Sequence, residues 1–206
     1  MKIIFIGTVI ASREILTHLI ECKEEIVGVV TSKTNKFNSD NANLENVSKR
    51  NNIPILKTND INNQNVKKWI AQKSPEIIIC MGWSSLLDEN TLNLCKRGVI
   101  GFHPSMLPFN RGRHPIIWSL ALGLKETGST FFKMTKEADC GKILSQKKIS
   151  IKHNDYADDL YKKIVDVDVA KKQIIEVIKN YDYLIKFARK SKKGNYWRKR
   201  SFIDGK

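Results

Sequence analysis

The fold is decided by residues 2–30, which are KIIFIGTVIASREILTHLIECKEEIVGVV. The apolar run from Lys2 to Ile6 ends at Gly7, a pattern typical of a strand that is buried on both faces. Residues 26–30 repeat the pattern and predict a second buried strand. Between the two strands we expect a helix that is capped by Ser12. Its apolar stripe consists of Ile15, Leu16, Leu19 and Ile20. A β-α-β unit of this kind requires parallel strands with a right-handed crossover.

The pattern beyond residue 30 extends this unit into an α/β fold. Strands are predicted over residues 53–56, 76–81, 99–102, 128–134 and 142–151. Helices are predicted over residues 44–50, 63–73, 88–96, 115–122 and 155–179. The last helix has its apolar positions at Leu160, Ile164, Val167, Ile174, Ile175 and Ile178. Pro54 favours a sheet edge, whereas the alternation of the last strand favours antiparallel pairing. We therefore expect a mostly parallel twisted sheet with helices on both faces and some antiparallel strands.

The composition predicts a folded protein of the cytoplasm. Of the 206 residues, 41% are hydrophobic, which is enough to bury a core. The chain contains no apolar run of about 18 residues, and its first run is better explained as a strand than as a signal peptide. The four cysteines form no C-x-x-C pair, which argues against a zinc site or a disulfide framework. We expect no metal and no membrane association.

The formal net charge of +15 raises the question of a nucleic-acid partner. Residues 181–206, the basic tail, contain nine Lys or Arg and two Asp or Glu, so they carry 9 − 2 = +7. The other +8 is spread over 180 residues without a clear stripe, which does not favour nucleic acid. A basic surface would also attract a small substrate that carries phosphate.

Residues 98–144 carry the chemistry, and they are GVIGFHPSMLPFNRGRHPIIWSLALGLKETGSTFFKMTKEADCGKIL. His103 directly follows a predicted buried strand, at the end of the sheet where α/β proteins bind ligands. The alternative is that His103 only bonds its own loop. Residues 104–114 argue against that alternative, because they combine two prolines with several polar side chains. A loop that only connects two elements does not usually have this composition.

Four motifs in this segment occur in a fixed order. They are His103-Pro104-Ser105-Met106-Leu107-Pro108, Arg111-Gly112, Thr127-Gly128-Ser129-Thr130 and Asp139-Cys140-Gly141-Lys142-Ile143-Leu144. The set resembles the folate-dependent formyltransferases, which include the methionyl-tRNA, glycinamide ribonucleotide and nucleotide-sugar enzymes. The separation of His103 from Asp139, 139 − 103 = 36 residues, also resembles that of the family. The resemblance covers most of residues 1–150 and implies a Rossmann-like formyltransferase fold.

The resemblance implies that 10-formyltetrahydrofolate is the formyl donor and that His103 and Asp139 are catalytic. An amine attacking the formyl carbon develops a negative oxygen and a positive nitrogen, so the site must stabilise an oxyanion and move protons. A histidine exchanges protons near neutral pH, and an adjacent carboxylate can fix its tautomer and stabilise its charged form. As an alternative, Asp139 could serve only as a turn residue before Gly141.

One position departs from the family pattern. Gly101 stands where the family has a catalytic asparagine, two residues before the histidine, and glycine offers no side-chain donor to an oxyanion. Asn110 is the nearest candidate replacement in sequence. Because Gly101 lacks a donor for the oxyanion, either another group supplies that donor or the protein is slow or inactive. Loop bonding and substrate contact are equally open roles for Asn110.

The resemblance also places the folate. The expected slot has two walls, one of Met81, Gly82, Trp83, Leu86 and Leu87, and one of Glu137, Ala138 and Asp139. Apolar side chains suit a flat pterin ring, and backbone groups of such loops can bond its polar edge.

The acceptor is expected to be a nucleotide-linked amino sugar. The tRNA enzymes carry a further C-terminal domain that we expect this chain to be too short to hold, and residues 7–12 lack the glycine-rich loop of the glycinamide ribonucleotide enzymes. Residues 196–200 resemble the aromatic and basic stretch that follows the core in the sugar enzymes. The expected substrate contacts are Ser105, Asn110, Arg111 and Arg113. Guanidinium groups bind phosphate well, although both arginines could instead form surface salt bridges.

We place a catalytic domain at residues 1–180, with the basic tail packed on it or extending from it. The oligomeric state stays open, a homodimer included. Within the family, the alternative is an enzyme like the glycinamide ribonucleotide or methionyl-tRNA formyltransferases. A rival hypothesis of another class is a catalytically impaired protein that binds folate or a polyanion, and a hydrolase releasing formate is a further one. Turnover of the folate donor with and without an amine acceptor separates these hypotheses.

Overall fold

The β-α-β unit predicted from residues 2–30 is present in the computed structural model, which describes residues 1–33, 40–165, 169–189 and 194–205. The chain forms two compact units, residues 1–101 with 134–136, and residues 102–133 with 137–206. In the first unit the strands are β1 (Ile3–Gly7), β2 (Ile26–Thr31), β3 (Ile55–Lys57), β4 (Ile77–Met81) and the start of β5 (Val99–His103). They are all parallel and follow the order β3-β2-β1-β4-β5.

The helices of the first unit are α1 (Ile10–Glu21), α2 (Glu45–Arg50), α3 (Gln64–Gln72) and α4 (Glu89–Leu92). Two of them, α3 and α4, begin at a polar side chain that caps them. The side chain of Asn63 accepts from the Asn65 N–H before α3, and that of Asp88 accepts from the Thr91 N–H before α4. The helix predicted over residues 88–96 is present and is capped by Asp88, although α4 ends at Leu92 rather than at residue 96.

The core of the first unit lies around β1 and β4. Every residue of both strands is buried, because β1 lies between β2 and β4, and β4 between β1 and β5. Their register pairs Ile3 with Ile77 and Ile6 with Cys80. A strand with neighbours on both sides and covered faces has no polar surface to expose, which is why both sequences are continuously apolar.

Ser12 is not the N-cap residue of α1, so this part of the prediction is wrong, although as the third residue of the helix it accepts from the N–H of the N-cap residue, Val9. The helix begins two residues earlier, with Val9 at the capping position. The Ser12 hydroxyl, which is fully buried, accepts from the N–H groups of Thr8 (3.3 Å) and Val9 (3.2 Å) and donates to the Met81 carbonyl (2.8 Å). It thus joins the turn after β1 to the end of β4.

The second unit begins with the last residues of β5 and contains an antiparallel pair. Its elements are β6 (Arg111–Gly112), α5 (Pro115–Ala121), β7 (Glu126–Lys133), β8 (Ile143–Ser150), α6 (Ala157–Val165), α7 (Val169–Lys179), α8 (Tyr181–Phe187), β9 (Tyr196–Trp197) and a 3-10 turn (Phe202–Gly205). Strands β7 and β8 are antiparallel, with Glu126 opposite Ser150. The predicted α/β fold, a mostly parallel sheet with helices and some antiparallel strands, is confirmed.

The single long helix predicted over 155–179 is described as two helices, α6 and α7. Residues 166–168, which include the predicted apolar Val167, lie outside the described residues. On α7 the polar Gln173 is almost fully buried, because its amide accepts from the Ser129 hydroxyl (2.7 Å) and donates to the Ser145 hydroxyl (3.0 Å). A buried amide with such partners is satisfied, so α7 packs closely even though its buried face is not wholly apolar.

The basic tail contributes regular structure to the second unit. Strand β9 pairs with β6 in a two-stranded parallel ladder, with Arg111 opposite Tyr196 and Gly112 opposite Trp197. The boundary placed at residue 180 stays a prediction.

Ser12→Ala tests the junction between β1, α1 and β4. We expect a loss of about 1–3 kcal/mol in the free energy of unfolding, because two N–H donors and one carbonyl lose a buried partner. Urea denaturation followed by circular dichroism measures the change. Thr17→Ala, a half-buried position on the same helix, is the control and should stay within about 0.5 kcal/mol. Equal stabilities of the two variants would contradict this role of Ser12.

Candidate active site

His103 is the last residue of β5 and is only 5% exposed. Gly101 lies two residues earlier on the same strand, so a side chain at position 101 would project from the same face as His103. The histidine thus lies at the carboxyl end of a strand, as its position in the sequence predicts.

The two ring nitrogens of His103 face different acceptors. Nε2 lies 2.8 Å from the backbone carbonyl oxygen of Asn110, and Nδ1 lies 3.6 Å from Oδ1 of Asp139. A carbonyl oxygen can only accept, so Nε2 carries a proton and donates it to Asn110. The expectation that Asp139 fixes the tautomer is therefore revised, since 3.6 Å is too long for a hydrogen bond and the Asn110 carbonyl does this instead.

Asp139 is held by the loop that follows residue 109. Its Oδ2 accepts from the Gly112 N–H at 2.8 Å, and its side chain is 18% exposed. The backbone of Asp139 is left-handed, with φ 54°, which aspartate tolerates better than most residues. The turn role considered from the sequence and the pairing with His103 thus coexist in one residue.

The Thr-Gly-Ser-Thr motif on β7 holds the loop after His103. Thr127 donates its hydroxyl to the Pro104 carbonyl (3.2 Å), and Thr130 donates to the Ser105 carbonyl (2.6 Å). A Cβ at Gly128 would lie 2.6 Å from the Met106 sulfur and 3.0 Å from its nitrogen, so only glycine lets the loop pack this closely. The motif therefore acts on the shape of the loop.

Ser105 belongs to this loop and has no exposed surface. Its hydroxyl donates to the Phe109 carbonyl at 2.8 Å. A substrate contact for Ser105 stays a prediction, while its observed contact is within the loop.

Asn110 is the junction between the loop and the basic tail. Its Oδ1 accepts from the Trp197 indole N–H (2.6 Å) and from the Asn195 amide (3.1 Å), and its own N–H donates to Asn195 Oδ1 (2.9 Å). The backbone of Asn110 is left-handed, with φ 59°. Neither Asn195 nor Trp197 was predicted to be a site residue. The sequence signal for Trp197 is the resemblance of residues 196–200 to a segment of the sugar enzymes, and Asn195 lies just outside that segment.

Three positively charged side chains act on His114. The pKa of His114 is lowered, first by burial and then by the charges of Arg113, Lys199 and Arg200. Nε of Arg111 is buried and has no hydrogen-bond partner among the described residues. An unpaired buried donor beside a concentration of cations suits an anionic ligand.

The aromatic residues of this region form a stack. Trp118 and Trp197 lie 5.1 Å apart with an interplanar angle of 24°, and the Arg200 guanidinium lies 4.9 Å from the Trp118 ring. Arg198 is paired with Asp204 at 2.9 Å, and this carboxylate partly neutralises the positive charge that Arg198 could present to a ligand. The tail is therefore held on α5 by ring stacking as well as by hydrogen bonds.

The predicted folate residues after β4 divide into core and exposed side chains. Met81 and Leu87 are buried in the core of the first unit, whereas Leu86 is 59% exposed. Gly82 is exposed, and Nε1 of Trp83 is buried without a hydrogen-bond partner in the described part of the chain. A donor of this kind fits a ligand with acceptor atoms.

The other predicted wall of the slot belongs to the second unit. There Glu137 is exposed, and Ala138 and Asp139 are partly buried. The slot as a whole stays a prediction.

The described residues place no three His, Cys, Asp or Glu side chains together in a way that could hold a metal. Within the same residues, no helix has the length and apolar character to span a membrane.

The family profile described as Formyl transferase matches residues 1–178. The chain belongs to the formyl transferase family. The methionyl-tRNA formyltransferase of Thermotoga maritima is 32% identical to it over 199 residues, which cover 95% of this chain and 60% of that protein. The chain spans 55–60% of the length of the three Thermotoga relatives that it matches.

Solved structures of formyl transferases share the fold. Phosphoribosylglycinamide formyltransferase from Bacillus halodurans matches with a TM-score of 0.72 at 19% identity, covering 85% of this chain and 95% of that one. WlaRD, a sugar 3N-formyl transferase crystallised with dTDP and 5-N-formyl-THF, matches with a TM-score of 0.70 at 20% identity, covering 96% of this chain and 69% of that one.

In this chain the arrangement leaves one nitrogen of the histidine free to exchange a proton. The Nε2 proton of His103 is engaged by Asn110, so Nδ1 is the nitrogen that can gain or lose a proton. Oδ1 of the Asp139 carboxylate lies 3.6 Å from that nitrogen. The family motifs thus assemble a histidine suited to acid–base work.

Leu86→Asp tests the predicted folate wall after β4. Binding of 5-formyltetrahydrofolate, measured by isothermal titration calorimetry, should fall below detection, because a carboxylate replaces the exposed apolar surface expected to contact the pterin. The melting temperature should change little. Leu122→Asp alters another exposed leucine and is the control that should keep binding. Unchanged binding in Leu86→Asp would place the folate elsewhere.

Arg113→Gln tests the charge around His114. By NMR titration, His114 should lose its proton below its ordinary value of 6.5, and the substitution should move the midpoint upwards. Because the pKa of His114 is lower in the folded chain than in the unfolded chain, the unfolded chain takes up this proton first. The free energy of unfolding is therefore unaffected by His114 above pH 6.5 and decreases as the pH falls from 6.5 through the lowered pKa of the folded state. Lys148→Gln, on β8, should leave the midpoint unchanged. A midpoint that Arg113→Gln does not move would remove Arg113 from the cluster.

Proposed function

We propose that the protein is an N-formyltransferase that moves a formyl group from 10-formyltetrahydrofolate to the amine of a nucleotide-linked amino sugar. The observation that carries the transfer chemistry is the pair of His103 and Asp139, anchored by the Asn110 carbonyl and the Gly112 N–H. We place the reaction in the cytoplasm, as the cysteine pattern suggests.

In the proposed reaction the neutral amine attacks the formyl carbon, and a new C–N bond forms. The bond between that carbon and N10 of the folate breaks as the oxyanion collapses. One proton leaves the amine nitrogen and one proton arrives at N10, so the exchange needs no redox partner. His103 Nδ1 takes up the proton from the amine and then gives it to the leaving nitrogen.

Asp139 supports the charged form of His103 while that proton is held. Its Oδ1 lies near Nδ1, and its Oδ2 is occupied by the Gly112 N–H, so the carboxylate keeps one oxygen for the ring. A fixed carboxylate stabilises an imidazolium without having to move during the reaction. The pair therefore acts as one unit.

Position 101 supplies no hydrogen-bond donor for the oxyanion, because glycine has no side chain. Asn110 remains our candidate through its Nδ2, since its Oδ1 is occupied by Trp197 and Asn195. If Asn110 has this role, Asn110→Ala lowers kcat and leaves folate affinity intact, because such a donor acts mainly in the transition state. A higher KM for the acceptor alone would instead mark Asn110 as a substrate contact.

Two unpaired buried donors support the assignment of ligands. Trp83 Nε1 suits an acceptor atom of the folate, and Arg111 Nε suits an oxygen of the acceptor's phosphates. Arg113, Lys199 and Arg200 add the positive charge that a nucleoside diphosphate requires. WlaRD, whose structure contains dTDP, offers an analogy for that diphosphate.

A second candidate acceptor is methionyl-tRNA. It is favoured by the name of the Thermotoga maritima relative, which is 32% identical over 199 residues. The two acceptors share the amine that the reaction needs and differ in size and in total charge. An assay with both separates them.

Turnover assays test this proposal with five conditions. The protein is mixed with 10-formyltetrahydrofolate and a dTDP-linked amino sugar, a UDP-linked amino sugar, glycinamide ribonucleotide, methionyl-tRNA or no acceptor, and tetrahydrofolate release is followed. We expect release with a sugar nucleotide. Release with methionyl-tRNA alone would establish the second candidate. Release without any acceptor would identify a hydrolase, and no release at all would favour a binding protein.

His103→Ala and Asp139→Ala should each lower kcat by about a hundredfold or more, the usual scale for a positioned acid–base group. The double variant should lose little more than either single variant, because Asp139 acts through His103. His153→Ala removes an exposed histidine outside the site and is the control. Additive losses would show that the two residues act independently.

A further inference from the structure

We propose that Asn195 and Trp197 of the basic tail are positioning residues, which hold His103 and Asp139 in the geometry needed for the transfer. This inference rests on the proposed function for its kinetic consequences, but its structural part concerns the state of the His103 ring. It follows from three sets of contacts, all within the second unit.

The first set fixes the side chain and the backbone of Asn110. Trp197 Nε1 donates to Asn110 Oδ1 at 2.6 Å, and Asn195 Nδ2 donates to the same oxygen at 3.1 Å. In return the Asn110 N–H donates to Asn195 Oδ1 at 2.9 Å. A left-handed residue between two polar anchors has little freedom to rotate its carbonyl away.

The second set fixes the backbone that follows. The Arg111 N–H donates to the Asn195 carbonyl (3.2 Å), and the Arg113 N–H donates to the Trp197 carbonyl (3.1 Å). A Cβ at Gly112 would lie 2.3 Å from the Trp197 carbonyl oxygen, and φ of Gly112 is 98°. Glycine at position 112 is therefore required for the tail strand to approach.

The third set joins the same backbone to the catalytic pair. The Asn110 carbonyl accepts from His103 Nε2, and the Gly112 N–H donates to Asp139 Oδ2. Residues 110–112 thus contact both members of the pair on one side and the tail on the other. The position of the tail sets the position of the pair through these three residues.

This arrangement predicts a state of the ring that does not depend on any substrate. While the tail holds Asn110, the His103 proton stays on Nε2, because that nitrogen faces a fixed acceptor. When the tail contacts are removed, the Asn110 carbonyl can turn away, and the ring is then free to place its proton on either nitrogen. A tail that merely contacts the substrate would not change the ring in the free protein.

The test compares Trp197→Phe and Asn195→Ala with the wild-type chain. Trp197→Phe removes the indole N–H and keeps an aromatic ring against Trp118, so the fold should be retained. Tyr196→Phe is the matched control, because it changes an exposed aromatic residue of the same strand. Thermal melts check that all three variants are folded.

Long-range ¹H–¹⁵N NMR of the ring gives the first readout, with the His103 signals assigned by their loss in His103→Gln. The wild-type chain and Tyr196→Phe should show a proton on Nε2. In Trp197→Phe and in Asn195→Ala the two nitrogen signals should move towards each other, as expected for a mixture of tautomers. A wild-type pattern in both variants would overturn the proposal.

Kinetics with the acceptor that supports turnover give the second readout. Both variants should lose about tenfold to a hundredfold in kcat, the scale of a misplaced catalytic group, with the KM for 10-formyltetrahydrofolate within about twofold of wild type. A wild-type ring with only a raised KM for the acceptor would show a substrate contact and overturn the positioning role. An altered ring in a protein that turns over no acceptor would leave the ring contact in place and reject the proposed function instead.

Discussion

The hydrogen bond from His103 Nε2 to the Asn110 carbonyl is the interaction on which the site depends. It determines which nitrogen of the ring is free, and its acceptor belongs to Asn110, a residue with a left-handed backbone. Among the described residues other than glycine, the positive φ angles in the loops around the site belong to Asn110, His114 and Asp139. Each such backbone conformation costs about 1–3 kcal/mol and persists only where contacts with the surrounding structure offset that cost. At Asn110 the tail supplies that support, and at Asp139 the N–H of Gly112 does so.

The family motifs have different roles in the site, and the spacing of the motifs in the sequence does not show these roles. The histidine and the aspartate carry the proposed chemistry, whereas the threonines of the Thr-Gly-Ser-Thr motif bond the backbone of the loop between them. The glycine of Arg-Gly makes room for the tail carbonyl and offers its N–H to Asp139. Several residues that identify the family therefore act by fixing the conformation of the backbone around His103 and Asp139.

Most of the fold could be predicted from the sequence, because buried parallel strands are continuous apolar runs and two of the helices between them begin at polar caps, Asn63 and Asp88. Ser12 was misassigned because a serine at the start of a helix has several backbone partners, and its choice of Met81 depends on a strand 69 residues away in the chain. The burial of Gln173 could not be predicted either, because it depends on hydrogen bonds to hydroxyl groups on β7 and β8. In the site, motif spacing located His103 and Asp139, but the contacts of Asn110 with the tail join residues 85 and 87 positions apart and leave no local pattern.

The pairing of β6 with β9 has a consequence for the order in which the protein assembles. Gly112 lies opposite Trp197, so this contact closes a loop of 197 − 112 = 85 residues for a ladder of only two residue pairs. Closing so long a loop for so few bonds is entropically costly, and such contacts form late in folding. During synthesis the histidine, the aspartate and their loop are complete long before residues 195–197 emerge from the ribosome. The histidine would therefore acquire its final orientation among the last events of folding, and a nascent chain would contain His103 and Asp139 before the His103 ring is oriented.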